Sequence, residues 1–135
     1  MSFSLSKISW VWVLLGVIVA LLVAYGSSFC VVTVYAGFLG LQVQGAPDTA
    51  LINEFAASSA PGISSLFAAV GTFLGGLLAG RKAQARPAEN GLMVGIITAV
   101  IWLLSAVSGG ISLWGIAGVI LALAGGWLGG KVAGG

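Results

Sequence analysis

The sequence predicts an all-α polytopic membrane protein, a bundle of four transmembrane helices arranged as two hairpins. Three observations predict it. The chain of 135 residues is 59% hydrophobic and only 6% charged, whereas a soluble domain carries about 25% charged residues. So few charges cannot dress a surface for water, and a bilayer must act as solvent for most of the chain, as the mean hydropathy of +1.16 also indicates. The charges that exist stand outside long uncharged runs, Ile8 to Leu41, Ile63 to Gly80 and Gly91 to Gly130. The last of these is interrupted near its middle by Ser105-Ala-Val-Ser-Gly-Gly-Ile-Ser112, and a Ser/Gly cluster of this kind punctuates helices.

About 20 apolar residues cross the roughly 30 Å of hydrocarbon in a bilayer. The first run is too short for two spans with a turn, so one long helix is expected over 8–41, tilted or protruding. It begins like a signal peptide, with Lys7 ahead of an apolar run and Ala24-Tyr25-Gly26 resembling a cleavage site. The run continues far past the length of a signal core, which points to an uncleaved helix that serves as its own insertion signal. Cys30 is the single cysteine, so no internal disulfide can form. Its neighbours Phe29 and Val31 make it a lipid-facing or core hydrophobe.

Residues 42–61 are expected to form an outer loop. In it Asp48 follows Pro47 as a helix N-cap, and Ala50 to Ala57 form a short amphipathic turn on the membrane, with Leu51 and Phe55 dipping into the interface. Pro61 then opens a second span over 62–80, where its missing N–H is no loss. An inner basic loop over 81–89 leads to spans over 90–107 and 111–131, and residues 1–135 form a single transmembrane domain.

Four spans place Lys7, Arg81, Lys82, Arg86 and Lys131 on one side and Asp48 and Glu54 on the other. The positive-inside rule makes the basic side cytoplasmic and puts both termini there. Three or five spans would strand Lys131 on the wrong side. Trp10 and Trp12 follow Lys7, and Trp127 precedes Lys131, so these tryptophans and the five cations read as membrane-interface anchors. Trp114 falls near the outer surface and Trp102 lies deeper. The loop cations suit anionic headgroups or a cytoplasmic partner. A net charge of +2 gives no reason to expect nucleic acid.

Leu74-Gly-Gly-Leu-Leu-Ala-Gly-Arg-Lys-Ala83 aligns with Ala124-Gly-Gly-Trp-Leu-Gly-Gly-Lys-Val-Ala133. Each half would be one hairpin of the same orientation, related by an axis along the membrane normal. Chance likeness of two glycine-rich helix ends is the alternative. Most of the 22 glycines fall inside predicted helices, where in a membrane they let backbones approach closely. Gly71, Gly75, Gly76 and Gly80 line the second helix, and Gly91 and Gly95 begin the third. Gly118, Ala122, Gly126 and Gly130 form a stripe on the fourth, with Gly125 and Gly129 on adjacent rows. Two stripes could serve two neighbours inside the chain, or one of them another subunit. Ser27, Ser28, Thr33, Thr72 and Thr98 are hydroxyls within spans, expected to bond back to their own helices or to line a polar path.

The chain has no histidine, which removes the commonest general base and metal or haem ligand. No Asp, Glu, Lys or Arg falls inside a predicted span, where ion-coupled carriers keep one. These readings argue against an enzyme, and no catalytic, metal or cofactor site is assigned; contact with lipid or an apolar pigment by shape is the weaker possibility. The segment Gly75-Gly-Leu-Leu-Ala-Gly-Arg-Lys82, followed by Asn90-Gly-Leu-Met-Val-Gly95, is similar to a family of small four-span prokaryotic membrane proteins of unknown function. That resemblance covers the second and third helices and implies a four-span fold in a prokaryotic plasma membrane, with no activity attached. The leading expectation is a non-catalytic structural or accessory subunit, or assembly factor, of a larger membrane protein complex. Its partners would be the lipid bilayer and other membrane protein subunits or a second copy. The competing expectation is a small oligomeric channel or carrier for a neutral or apolar solute.

Overall fold

Four helices follow one another along the chain, α1 Trp10–Val43, α2 Thr49–Lys82, α3 Pro87–Gly109 and α4 Leu113–Gly134. They are seen in a computed structural model that describes residues 8–83, 85–110 and 112–135. Lys7, expected as an anchor, lies outside the described residues. All four helices are long and apolar enough to cross a membrane. The chain is therefore an all-α, multi-pass integral membrane protein.

The helices are unequal. α1 and α2 have 34 residues each, about 51 Å at 1.5 Å per residue. α3 and α4 have 23 and 22 residues, about 33–35 Å, close to the thickness of the hydrocarbon. Three contacts fix the register. At the basic end the Ser9 N–H donates to Asn90 Oδ1 at 2.8 Å, which sets the start of α1 level with the start of α3. At the other end Ser28 Oγ donates to the Ala60 carbonyl at 3.2 Å, and Ser65 Oγ donates to the Trp114 carbonyl at 2.7 Å. α4 thus begins beside Ser65, so the excess length of α1 and α2 lies at one end. Residues 29–43 and 49–61 continue as an antiparallel hairpin roughly 20 Å beyond the four-helix body.

This corrects the expected loop over 42–61. The connection is only residues 44–48, and α2 is continuous from Thr49 through Pro61. Asp48 does cap it, its carboxylate accepting the Ala50 N–H at 2.8 Å. The segment Ala50 to Ala57 does not lie on a membrane surface: Phe55 stacks on Tyr35 of α1 with centroids 4.0 Å apart. Pro61 sits inside the helix instead of opening it. Its ring leaves the Ala57 carbonyl without an intrahelical donor, and Ala57 is exposed, so water can supply the bond. The other loop also shortens, from 81–89 to residues 83–86, because α2 runs to Lys82 and α3 starts at Pro87.

α2 is central and touches the other three helices, while α1 and α4 do not meet among the described residues. Apart from Trp102 and Met93, few large side chains fill the middle. The bulkiest fully buried residues are Val13, Val94, Asn90, Thr72, Thr98 and Ser65, whereas Leu14, Ile18, Leu22, Leu66, Leu104 and Ile120 are exposed. Such an inside-out distribution suits a hydrocarbon solvent: apolar bulk faces lipid, and small residues bring backbones together for van der Waals contact.

Candidate functional site

The glycines form three seams, one for each close helix pair. Between α1 and α2, a Cβ on Gly71 would fall 2.5 Å from the Ala20 carbonyl, and one on Gly75 would strike the Gly16 carbonyl. Ala24 and Ala68 pack together higher up. The α1 side of this seam, Gly16, Ala20, Ala24 and Ser28, has a spacing of four and is buried throughout. Sequence reasoning missed it, because alanine and serine carry no signal of their own in a helix; the regular spacing opposite Gly71 and Gly75 was the available clue. Between α2 and α4, a Cβ on Gly76 would fall 2.5 Å from the Gly126 carbonyl, Gly80 lies against Gly130 and Ala133, and Gly125 abuts Thr72 and Ala69. Between α3 and α4, Gly91 lies against Gly126 and Gly130, Gly95 against Ala122, and Gly118 against the Trp102 ring. The two stripes on α4 thus face α2 and α3 of the same chain. Aligned positions of the two halves, Gly76 with Gly126 and Gly80 with Gly130, meet across the α2–α4 seam. The hairpins are not equivalent, however, since α2 touches α3 while α1 does not touch α4.

The basic end gathers the anchors. Lys82 Nζ lies 5.6 Å from the Trp12 ring and Lys131 Nζ 5.0 Å from the Trp127 ring, cation–π contacts that keep each charge at the interface. Trp10 is exposed in the first turn of α1, and Arg81 is exposed in the last turn of α2. Arg86 pairs with Glu89 at 2.6 Å. This Glu89 stands in the first turn of α3, where a carboxylate is favoured by the helix dipole. Asn90 is fully buried and joins three segments. It accepts from Ser9 N–H and donates to the carbonyls of Ala85 and Arg86 at 3.1 and 3.0 Å. A cavity of about 750 Å³ lies here among Pro87, Leu92, Trp127, Lys131 and Gly134.

Among the hydroxyls, Ser27, Thr33 and Thr72 donate to carbonyls four residues back in their own helices. Ser28 instead crosses to α2, and the buried Thr98 Oγ1 has no partner. A second cavity, of about 480 Å³, lies where the hairpin leaves the body. Tyr25, Ser28, Ala56, Ser64, Trp102 and Trp114 are among its walls. Among the described residues, no charged side chain lines it.

The chain matches no protein-family model, no curated protein and no solved structure.

Function must therefore be argued from the geometry. Among the described residues no group of three or more His, Cys, Asp or Glu side chains could hold a metal ion. What the surface does offer is apolar area in an unusual place. On the projecting part of α1, Val31, Val34, Phe38, Leu41 and Val43 are exposed, Val34 at 73% and Leu41 at 81%. On the projecting part of α2 the exposed residues are mostly polar, Asn53, Glu54 and Ser58 among them.

Proposed function

We propose that this chain is a non-catalytic structural or accessory subunit, or an assembly factor, of a larger membrane protein complex. The observation that carries the reading is the two-faced hairpin. Its α2 arm suits water, while its α1 arm continues the apolar stripe of the membrane-spanning part past the level where α3 and α4 end. A hydrocarbon thickness of about 30 Å covers the four-helix body but not the hairpin as well. An apolar stripe outside lipid is characteristic of a protein interface. The partner in this reading is another membrane protein subunit that carries its own apolar surface above the bilayer, and the glycine seams keep the hairpin's base rigid.

Gentle extraction of the tagged full-length chain, with mass spectrometry of what travels with it, tests the proposal. A fixed-ratio partner is expected, and it should be lost in the double substitution Phe38→Glu, Leu41→Glu while the helical circular dichroism signal is kept. A chain that purifies alone as a monomer overturns the reading. So does a partner that the double substitution leaves in place.

A further inference from the structure

The cavity at the basic end is framed by the start of α3 and the end of α4. Both helices grade the same way along it. α3 enters the membrane with Arg86 and then Leu92, and α4 leaves it with Trp127 and then Lys131, so each sets a cation outward of an apolar group. Gly130 and Gly134 lie against Pro87, which ties the two rims together. The sign of the rim is decided by which charges a ligand can reach. The Glu89 carboxylate is engaged: its Oε1 accepts from Arg86 at 2.6 Å and its Oε2 is buried. Lys131 is exposed and makes no ion pair among the described residues. Its ammonium lies over the Trp127 ring, itself 44% exposed. The start of α3 adds a partial positive charge from its aligned peptides, and Lys131 in the last turn of α4 offsets the opposite dipole there.

We infer that this cavity holds one anionic phospholipid, its phosphate at Lys131 and the start of α3, its acyl chains leaving past Leu92 and Trp127 into the bilayer. Three features select that ligand. The reachable charge on the rim is positive, and cations at the membrane surface attract anionic lipid. A choline or ethanolamine head would want an open carboxylate or a bare aromatic face, but Arg86 and burial occupy Glu89, and Lys131 covers Trp127. The volume of about 750 Å³ falls within the range of small-molecule sites, about 300–1,000 Å³. A free phosphate shares the chemistry of the head, yet it has nothing to set beside Leu92 and the indole. The grading from charge to apolar surface in both helices therefore favours the lipid. The inference does not rest on the accessory-subunit reading, which concerns the hairpin at the opposite end.

The test uses the full chain in uncharged detergent micelles with three probes: dioleoylphosphatidylglycerol, dioleoylphosphatidylcholine and inorganic phosphate. Native mass spectrometry counts bound lipid. The Trp127 indole N–H resonance is followed by NMR, its signal being assigned by its loss in Trp127→Phe. One phosphatidylglycerol per chain is expected, with the Trp127 resonance moving. Phosphatidylcholine should bind more weakly, and phosphate should neither move the resonance nor displace the lipid. Lys131→Gln should weaken binding about fivefold, the worth of one cation near a lipid surface. Lys82→Gln removes an equal charge from the other cation–tryptophan pair at this end and should leave the affinity unchanged. Both lysines are exposed, so the helical circular dichroism signal should be kept in each variant. Equal losses in the two variants would mean diffuse attraction, and displacement by phosphate would mean a soluble ligand. Either result, equal affinity for phosphatidylcholine, or uptake that does not saturate overturns the inference.

Discussion

At the scale of single residues, the value of a glycine here is set by what faces it. A Cβ at Gly126 would lie 2.6 Å from both the Gly91 carbonyl oxygen and the Gly95 nitrogen. Those are backbone atoms of a neighbouring helix and cannot step aside. Gly26, in mid-helix on α1, meets nothing within 4 Å. Replacing glycine by alanine in a helix gains about 1 kcal/mol of propensity, while overpacking costs about 1–3 kcal/mol. Gly126→Ala should therefore lower the unfolding temperature in detergent and Gly26→Ala should leave it equal or raise it; shifts of the same sign would contradict the seam. Gly126→Leu should separate still further from Gly135→Leu at the chain end. Asn90 offers a polar counterpart. Asn90→Leu leaves the Ser9 N–H and the Ala85 carbonyl without their bonds, a loss of about 2–6 kcal/mol from two groups that each cost about 1–3 kcal/mol unpaired. It should free the start of α1 first, seen as faster amide exchange near Ser9 than elsewhere.

At the scale of elements, the spans were legible and the hairpin was not. Uncharged runs and the Ser/Gly break fix four helices, because hydrocarbon tolerates neither buried charge nor unpaired backbone. The break over 105–112 indeed separates α3 from α4. The α4 stripe could likewise be read from its spacing, but not its neighbours, since a row of small residues does not say which helix meets it. What sequence concealed is the continuity of α2. Pro61 at the head of an apolar run imitates a helix start, and the stretch before it is polar enough to pass for a loop. Tertiary support decides otherwise: Tyr35 holds Phe55, Ser28 holds the Ala60 carbonyl, and the one carbonyl that proline leaves unpaired faces outward. Pro61→Ala tests the point. In a continuous helix it restores a hydrogen bond and should stabilise the protein, by up to the roughly 3 kcal/mol that an interior proline costs. If α2 began at Pro61, the substitution would be neutral or harmful, and thermal unfolding distinguishes the two.

At the scale of the whole molecule, the ends of the body differ in charge, and that difference sets its orientation in a cell. Arg81, Lys82 and Lys131 stand at one end with the Arg86–Glu89 pair. Asp48 and Glu54 belong to the hairpin at the other. Cations resist translocation and acidic residues contribute little to orientation, so the basic end should stay cytoplasmic and the hairpin should emerge outside. The prediction can be checked in a Cys30→Ser background, which removes the exposed native thiol. A membrane-impermeant maleimide applied to intact cells should label Asp48→Cys and spare Arg81→Cys until the membrane is opened. Labelling of both, or of Arg81→Cys alone, would reverse the orientation or the span count. The stakes reach beyond topology. With this orientation the apolar arm of the hairpin, and the neutral cavity at its base, both open at the outer face of the membrane. A partner for the hairpin must then present its surface outside the cytoplasm.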